Sequence, residues 1–350
     1  MIRVIFTLTA ILCLLGPPSP VRGEAQQERA VLLEPALWRA WKTAFVAADG
    51  RVIDNANHGI SHSEGQGYGL LLAAFADDKD GFTLLWTWTR TTLGRDDGLS
   101  TWRYDPTRRA PKDDPNNASD GDILIAWALV EAFERWGDPA HRDAAARIAR
   151  MVARRLTAET ALGRVLMPAL VGFDRKARPD GPVVNPSYWI YPALPRLASV
   201  AGEHDWSRLN DGGLAVLRAS RFGPRRLPSE WVSLADGTAK PARGFEAVYG
   251  YNAVRIPLYL VWGGVADREV LAPFMAGPNA PPGLVTVATG QVAEPLLQPG
   301  YAAMSAVVAC ALEGTRLPAA LRGAAMDLYY PSTLRLLALV ALAQKHPRCL

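Results

Sequence analysis

Amphipathic helical segments recur along almost the whole chain, and this pattern constrains the fold more than any other feature. In residues 31–46, Leu33, Leu37, Trp41 and Phe45 fall at four-residue intervals, so they lie near one helix face. Similar patterns predict about a dozen helices, at residues 68–75, 82–93, 123–136, 144–156, 189–200, 209–219, 253–261, 270–274, 302–312, 317–326 and 333–343. Strand-like runs are restricted to residues 183–184 and 284–288. The sequence therefore predicts an all-α fold.

The loops between these helices collect the proline, glycine, aspartate and asparagine residues, at positions 96–117, 174–186, 223–244 and 277–283. No low-complexity linker divides the chain into halves, and no block of charge marks a tail. We therefore expect residues 24–350 to form a single domain of paired helices with long functional loops. Helical hairpins at similar spacing suit a closed toroid of helices.

The first 23 residues have the pattern of a secretory signal peptide. Arg3 supplies a positive charge, residues 4–15 are apolar, residues 16–18 break the run, and Gly23 offers a small residue for cleavage. The apolar run is too short to cross a bilayer, which takes about 20 residues. We expect cleavage near Gly23 and a periplasmic or secreted protein. An uncleaved membrane anchor is the alternative.

Charge and cysteine content narrow the possible functions. The chain has 38 basic and 34 acidic residues, a formal net charge of +4, and loss of Arg3 and Arg22 with the signal peptide would leave +2. The basic residues are spread along the chain, whereas a nucleic-acid-binding protein concentrates them in a stripe. Cys310 and Cys349 remain in the mature chain, and two cysteines leave open whether they form a disulfide.

A glycine-rich helix start surrounds Glu64. Ser61 and Glu64 have the spacing of a capping box, in which the glutamate satisfies backbone amides. That reading does not explain Gly65, Gly67 and Gly69, each of which costs up to about 1 kcal/mol in a helix relative to alanine. Such glycines indicate close approach of a ligand or another helix. Glu64 is therefore either a capping residue or a functional carboxylate.

A second carboxylate cluster precedes the helix predicted at residues 123–136. Ser119 or Asp120 would serve as an ordinary N-cap, with Asp122 two residues further on. Alternatively, Asp120 meets Glu64 across a cleft. A helix N-terminus would then keep Asp120 ionised through the helix dipole. A carboxylic acid with a raised pKa and an ionised partner form the pair that glycoside hydrolysis requires.

The sequence does not match the motifs for metal binding, for nucleophilic serine or cysteine catalysis, or for dinucleotide binding. His58 and His62 have the i, i+4 spacing of metal ligands, but no third ligand follows at a recognisable distance, so we predict no metal site. There is no G-x-S-x-G motif and no cysteine in a reactive setting. The glycines after Glu64 do not match a dinucleotide-binding loop. We expect no cofactor.

Three segments together resemble glycoside hydrolase family 8. Residues 118–136 match the family signature, residues 63–69 resemble its general-acid segment, and residues 249–257 resemble a third segment beside the sugar cleft. The resemblance implies an (α/α)6 barrel with an open cleft and an inverting endo-β-1,4-glucanase. It is closest to the secreted endoglucanases that accompany bacterial cellulose synthases. We therefore expect a monomer that acts on β-1,4-glucan, with a cellulose synthase complex as candidate partner.

The resemblance also assigns roles to the carboxylates. Glu64 would be the proton donor, and Asp120 would position the sugar or act as the nominal nucleophile. Many members have an aspartate as general base where this chain has Asn252, and an amide cannot take a proton from water. Asn252 would then orient the water. The candidates for the base itself are carboxylates in or near suitable loops, together with Asp120: Asp174, Asp180, Glu230 and Glu246.

Aromatic side chains in loops and at helix starts are expected to stack on the sugar rings. For each of them, packing in the core is the alternative: Trp102, Tyr104, Tyr188, Trp189, Tyr249 and Tyr251. Arg255 is expected to pair with a carboxylate near the site. The departure at Asn252 leaves two alternatives open, namely action on another β-1,4 glycan such as chitosan or xylan, and a catalytically weak glucan-binding protein.

Overall fold

The computed structural model describes residues 30–275 and 282–350, so the predicted signal peptide at residues 1–23 lies outside the described residues. Within those two ranges the chain forms these α-helices: α1 (Pro35–Phe45), α2 (Ser63–Phe75), α3 (Lys79–Trp88), α4 (Ser119–Trp136), α5 (Pro139–Arg155), α6 (Leu194–Ala198), α7 (Trp206–Ala219), α8 (Ile256–Trp262), α9 (Arg268–Leu271), α10 (Pro299–Glu313) and α11 (Tyr329–Lys345). One π-helical turn, Thr89–Leu93, extends α3. The all-α prediction thus holds for the body of the chain.

Short antiparallel strands connect these helices. They are β1 (Ser61–His62), β2 (Arg103–Tyr104), β3 (Thr157–Thr160), β4 (Gly163–Leu166), β5 (Val183–Val184), β6 (Val232–Ser233), β7 (Lys240–Pro241), β8 (Val248–Tyr249), β9 (Gly283–Thr286) and β10 (Val292–Pro295). Strands β1 and β2 pair, as do β3 and β4, while β5-β6-β7 and β10-β9-β8 form three-stranded sheets. The sheets hold the long loops against the helices.

Two layers of helices surround the core. In α2 every residue except Glu64 is buried, and α8 is buried throughout, so these helices belong to the inner layer. By contrast, α1, α5 and α7 bury one face and expose the other. Helix α11 packs against α1, α2, α8 and α10, which joins the last helices of the chain to the first. The ring of helices is therefore closed.

Aromatic residues fill the middle of the ring. The ring centroids of Trp127 and Trp262 lie 4.8 Å apart in an edge-to-face arrangement, and Phe75 contacts both at 6.1 and 6.0 Å. These three side chains come from α2, α4 and α8. Offset and edge-to-face ring pairs add to the stabilisation from apolar burial. The centre of the barrel is therefore packed.

Some predicted elements differ from the structure. The helix predicted at residues 189–200 is reduced to α6, because Pro192 and Pro195 disfavour helix in the residues before them. Residues 317–326 form a 3₁₀ turn at Ala319–Arg322. The β3–β4 hairpin was not predicted, although Gly163 supplies the positive φ, +97°, that its turn requires.

Cys310 and Cys349 form a disulfide that joins α10 to the C-terminal tail, with their Cα atoms 6.0 Å apart. The tail is also held by the backbone, since the Leu317 N–H donates to the Cys349 carbonyl at 2.7 Å. This resolves the pairing that the sequence left open. Among the described residues, no helix has both the length and the apolar character needed to span a membrane.

Candidate active site

Helices α2 and α4 meet at their N-terminal ends with almost no space between them. A Cβ atom on Gly121 would overlap Ser63, and one on Gly67 would lie 2.5 Å from the Cβ of Leu124. Only glycine allows this approach of the two helices. The glycines that are costly in a helix therefore bring the start of α2 against the start of α4, where Glu64 and Asp120 lie.

The capping-box interpretation of Ser61 and Glu64 is wrong. The N-cap of α2 is His62, whose Nδ1 accepts the Gly65 N–H at 2.9 Å. The hydroxyl of Ser61 instead donates to the Val52 carbonyl at 2.5 Å. Since another side chain satisfies the helix start, the Glu64 carboxylate is available for other contacts.

The N-cap prediction for the start of α4 is also wrong. Ala118 is the N-cap and provides no side-chain cap, so Ser119 and Asp120 both lie inside the first turn. Asp120 Oδ1 accepts its neighbour's amide, the Gly121 N–H, at 2.8 Å. Its other oxygen points toward α2 and the segment before α8. Asp120 is therefore turned into the site.

Arg255 joins the two carboxylates. Its Nη1 lies 2.6 Å from Glu64 Oε1, and its Nη2 donates to Asp120 Oδ2 at 2.7 Å. Nη2 also donates to Ser187 Oγ at 3.1 Å, and the guanidinium lies 5.7 Å from the centre of the Tyr188 ring. The Arg255 side chain is 2% exposed. The ion pair expected for Arg255 is thus present, and it involves both carboxylates.

The two carboxylates share one positive charge, and their pKa values move in opposite directions. Burial raises the pKa of Glu64, but the charges of Arg255 and His62 outweigh it, so that this pKa is lowered overall. Burial raises the pKa of Asp120 to about 6, against the charge of Arg255 and with the help of the negative charge on Glu64. A proton therefore prefers Asp120 to Glu64 in this arrangement.

Asp122, the second aspartate of the signature, has a structural environment. Its Oδ1 accepts the Ser100 N–H at 2.8 Å, and its Oδ2 accepts the Asn117 side-chain amide at 2.9 Å. Asn117 in turn accepts the Leu170 N–H at 2.8 Å. Burial raises the pKa of Asp122 to about 7. Asp122 thus fastens two loops to the start of α4.

Asn252 lies immediately before the 3₁₀ turn that contains Arg255 and is partly buried. Its backbone N–H donates to Glu230 Oε1 at 2.6 Å. Among the loop carboxylates considered for the base, Glu230 is thus hydrogen-bonded to the residue at the base position of the family.

The other loop carboxylates have different surroundings. Asp180 accepts Arg178 Nε at 3.0 Å and the Arg243 N–H at 2.7 Å, which fixes both of its oxygens. Asp174 accepts two amides within its own exposed turn. Glu246 is exposed. These positions give no sign of a contact with Asn252.

The predicted sugar-stacking residues divide into two groups. Trp189 and Tyr249 are buried: Trp189 donates to the Leu209 carbonyl at 2.9 Å, and Tyr249 contacts Phe274. The expectation that these two stack on sugar is therefore corrected to core packing. The remaining four keep part of their surface exposed: Trp102, Tyr104, Tyr188 and Tyr251.

Sequence reasoning missed several aromatic residues around the carboxylates. The hydroxyls of Tyr68 and Tyr259 lie 2.5 Å apart beneath Glu64, and the Tyr330 hydroxyl donates to the Tyr251 carbonyl at 2.8 Å. Tyr68 is four residues after Glu64, on the same face of α2, and this spacing was a usable signal. Trp231, which contacts Tyr188 edge to face at 6.2 Å, had no such signal.

His58 and His62, which have the i, i+4 spacing of metal ligands, have different surroundings in the structure. His58 is exposed in a turn with a φ of +53°, and His62 is used as the cap of α2. Within residues 30–275 and 282–350 there is no cluster of three or more histidine, cysteine, aspartate or glutamate side chains able to hold an ion.

Comparison with known proteins decides the family. The model of glycosyl hydrolases family 8 matches residues 26–345. The chain belongs to this family. It is 36% identical over 319 residues to a probable endoglucanase of Novacetimonas hansenii, which covers 88% of this chain and 90% of the relative. It is 39% identical over 276 residues to an endoglucanase of Cellulomonas uda, which covers 75% of this chain and 76% of the relative.

Solved structures of family 8 enzymes have the same fold. The endo-β-1,4-glucanase CMCax from Acetobacter xylinum matches with a TM-score of 0.82 and 35% identity over 90% of this chain and 99% of that one. The endoglucanase Cel10 from Klebsiella pneumoniae matches with a TM-score of 0.79 and 35% identity, over 88% and 99%. The prediction of an (α/α)6 barrel is confirmed, and this family 8 member is a glycoside hydrolase.

Proposed function

We propose that this family 8 member is an endo-β-1,4-glucanase that cleaves internal β-1,4-glucosidic bonds with inversion. One observation carries the proposal: Glu64 and Asp120, at the adjoining starts of α2 and α4, share the buried guanidinium of Arg255. The names of the relatives, endoglucanases at 36% and 39% identity, support the substrate class.

In this mechanism Glu64 protonates the glycosidic oxygen while the bond from that oxygen to C1 breaks. A water attacks C1 from the opposite face of the ring, and its proton passes to a base. Asp120 accepts hydrogen bonds from the hydroxyl groups of the sugar and so holds it at the cleavage point. Arg255 keeps both carboxylates in place, and Asn252 orients the water. No covalent glycosyl-enzyme intermediate forms.

Glu64 must hold a proton before it can donate one. Binding of the sugar favours this by shifting the pKa values of Glu64 and Asp120. Hydroxyl groups that donate to Asp120 favour its ionised form, which lowers its raised pKa. A glucan chain over Glu64 removes water from its partly exposed carboxylate, whose side chain is 18% exposed, and this raises the pKa of Glu64. Both changes favour a proton on Glu64 over one on Asp120.

Export and domain organisation form part of the same proposal. The apolar run at residues 4–15 has the composition of a signal peptide, and residues 24–350 would then be one catalytic domain. The Cys310–Cys349 disulfide supports an oxidising compartment, such as the periplasm or the cell exterior. We further propose that the protein acts as a monomer on glucan made by a neighbouring cellulose synthase complex.

Product stereochemistry tests the mechanism. Purified mature protein should release reducing ends from carboxymethylcellulose, and NMR of a fresh cello-oligosaccharide digest should show the α-anomer first. First appearance of the β-anomer would refute inversion. A panel with chitosan and xylan separates a glucanase from the other β-1,4 glycanases.

Asn252 favours a second candidate, a glucan-binding protein with little turnover, because it lacks the carboxylate of the usual base. Binding of cello-oligosaccharides without any reducing ends at high protein concentration would support it. Measurable hydrolysis that depends on Glu64 would remove it.

A further inference from the structure

Inverting hydrolysis needs a carboxylate that accepts a proton from the attacking water, and the side chain of Asn252 cannot serve. The base must lie within hydrogen-bond reach of that water, with an oxygen free to accept from it. The candidates can therefore be separated by asking which of their oxygens already have donors.

Asp120 and Asp180 have both oxygens engaged. Asp120 accepts the Gly121 N–H on Oδ1 and the guanidinium of Arg255 on Oδ2. Asp180 accepts an arginine side chain on one oxygen and a backbone amide on the other. A water would have to share an oxygen with one of these donors, which makes both weaker bases than a carboxylate with an unengaged oxygen.

Glu230 is arranged differently. Its Oε1 accepts the Asn252 N–H at 2.6 Å, while Oε2 has no hydrogen-bond partner among residues 30–275 and 282–350. The backbone N–H of Glu230 donates to the Val248 carbonyl at 2.9 Å, so the main chain is held beside β8. One oxygen thus fixes the carboxylate next to Asn252, and the other is left to accept.

Gly250 leaves the space that this carboxylate occupies. A Cβ atom on Gly250 would lie 2.6 Å from Glu230 Oε1 and 3.0 Å from its Cδ. Any other residue at position 250 would therefore push the carboxylate away from Asn252. The sequence Tyr249-Gly250-Tyr251-Asn252 combines the loss of the usual aspartate with room for a neighbouring glutamate.

Contacts also connect Glu230 to the pair of catalytic carboxylates. Its neighbour Trp231 meets Tyr188 edge to face at 6.2 Å, and Tyr188 lies under Arg255 at 5.7 Å. Burial raises the pKa of Tyr188, and the negative charges of Asp120, Glu64 and Glu230 add to this shift. All three carboxylates therefore lie close enough to Tyr188 for their charges to act on its phenol.

We propose that Glu230 is the general base of this enzyme and acts from beside Asn252 in place of the usual aspartate. The inference rests on the proposed inverting hydrolysis. The water oxygen bonds to C1 as the bond from C1 to the glycosidic oxygen breaks. One water proton passes to Glu230 Oε2, and the Glu64 proton passes to the leaving oxygen. Glu230 then releases its proton to solvent and Glu64 takes one up, so the step balances and both groups return to their starting forms.

Glu230→Gln is the decisive variant, because a glutamine Oε1 still accepts the Asn252 N–H. Removing a general base costs about 10²- to 10⁴-fold in rate. We expect a loss of that size in kcat on cellohexaose, with the unfolding midpoint unchanged. Glu246→Gln, an exposed glutamate of the same loop region, is the matched control and should keep wild-type kcat. Wild-type kcat in Glu230→Gln would overturn the inference.

An activated substrate separates the base from the acid. Dinitrophenyl β-cellobioside has a leaving group that needs no proton, so Glu64→Gln should hydrolyse it at close to the wild-type rate. Glu230→Gln should lose activity on this substrate as on cellohexaose. The opposite ranking of the two variants would contradict the assignment of Glu230.

Azide adds a positive signal. Because azide is already anionic, it needs no base, and Glu230→Ala should recover turnover with added azide and release an α-glycosyl azide. Absence of that product would overturn the inference. If the wild-type protein hydrolyses none of these substrates, the proposed function itself fails. If the wild type gives α-anomers while Glu230→Gln is fully active, only the assignment of Glu230 fails.

Discussion

Each end of the barrel carries one arginine between two carboxylates, and the two ends behave differently. At the starts of α2 and α4, Arg255 contacts Glu64 and Asp120. At the other end of α4, Arg196 contacts Glu131 at 2.9 Å and also Glu134. The residue types are nearly the same at both ends. The composition of such a cluster therefore does not decide whether it is chemically active.

Burial is the main difference between the two clusters. The Arg255 side chain is 2% exposed and that of Arg196 is 26% exposed. Water reaches the guanidinium of Arg196, although the Glu131 side chain is itself only 9% exposed, whereas the guanidinium of Arg255 is enclosed and its interactions with Glu64 and Asp120 are screened less. Burial raises the pKa of Asp120 to about 6 at the Arg255 end. The enclosed cluster is the one suited to moving a proton near neutral pH.

The Arg196 end has a cavity, which does not by itself make it reactive. The cavity has a volume of about 650 Å³ and is lined in part by Trp127, Trp206 and Trp262. The indole nitrogens there already have acceptors, for example Trp262 Nε1 with Gln344 Oε1 at 2.6 Å. A large space with satisfied polar groups offers little to a reacting glycosidic bond. Charge and burial identify the site better than volume does.

The largest expected effect is on catalysis and is confined to one end. Glu64→Gln removes the proposed acid and should lower kcat on cello-oligosaccharides by about 10²- to 10⁴-fold. Glu131→Gln makes the same change at the Arg196 end and should leave kcat at the wild-type value. Reducing-sugar assays on both purified variants give the comparison. A large loss of kcat in Glu131→Gln would mean that the two ends are coupled.

Helical periodicity predicted the all-α fold, whereas the (α/α)6 barrel and the roles of Glu64, Asp120 and Arg255 were implied by the resemblance of their segments to family 8. Local patterns can be recognised from residues adjacent in sequence. They include a glycine-rich helix start, a turn with two carboxylates and an arginine among apolar residues. Glu230 could not be selected in this way, since its contact with Asn252 spans 22 residues. Nor could the burial of Trp189 be predicted, since it depends on the space left by Gly213 in α7. Contacts between distant segments set both outcomes.

The second prediction concerns stability. Arg255→Met leaves two buried carboxylates without a partner and should lower the free energy of unfolding by about 3–5 kcal/mol at pH 7. Arg196→Met breaks a partly exposed cluster and should cost about 1 kcal/mol or less. Urea unfolding of both variants measures the difference. Equal losses would show that burial does not separate the two ends.

The third prediction uses the pH dependence of Asp122. Its pKa is about 7 in the folded chain against about 3.9 in an unfolded one, so its contribution to stability is complete below pH 4 and is lost as the pH rises to 7. Asp122→Asn has no such loss. The free energy of unfolding of Asp122→Asn, taken relative to wild type, should therefore increase from pH 4 to pH values above 7, by ~4 kcal/mol at most.

Asp122→Ala provides the control for that experiment. It loses both hydrogen bonds, from the Ser100 N–H and the Asn117 amide, whereas an asparagine Oδ1 still accepts one of them, so Asp122→Ala should be less stable than Asp122→Asn at every pH. Its pH slope relative to wild type should still match that of Asp122→Asn. Parallel slopes assign the effect to charge, and diverging slopes would assign it to hydrogen bonding.

The smallest expected effect is on substrate affinity and again compares the two ends. Tyr251 is 44% exposed beside the carboxylates, and Tyr251→Ala should raise KM about fivefold with kcat unchanged, since a stacked ring contributes about 1 kcal/mol. Tyr251→Phe keeps the ring and should keep the wild-type KM. Lys345→Ala, at the 650 Å³ cavity of the Arg196 end, should not change KM either. If Lys345→Ala raises KM as much as Tyr251→Ala does, glucan also binds at the Arg196 end, and the division between a reactive end and an inert end no longer holds.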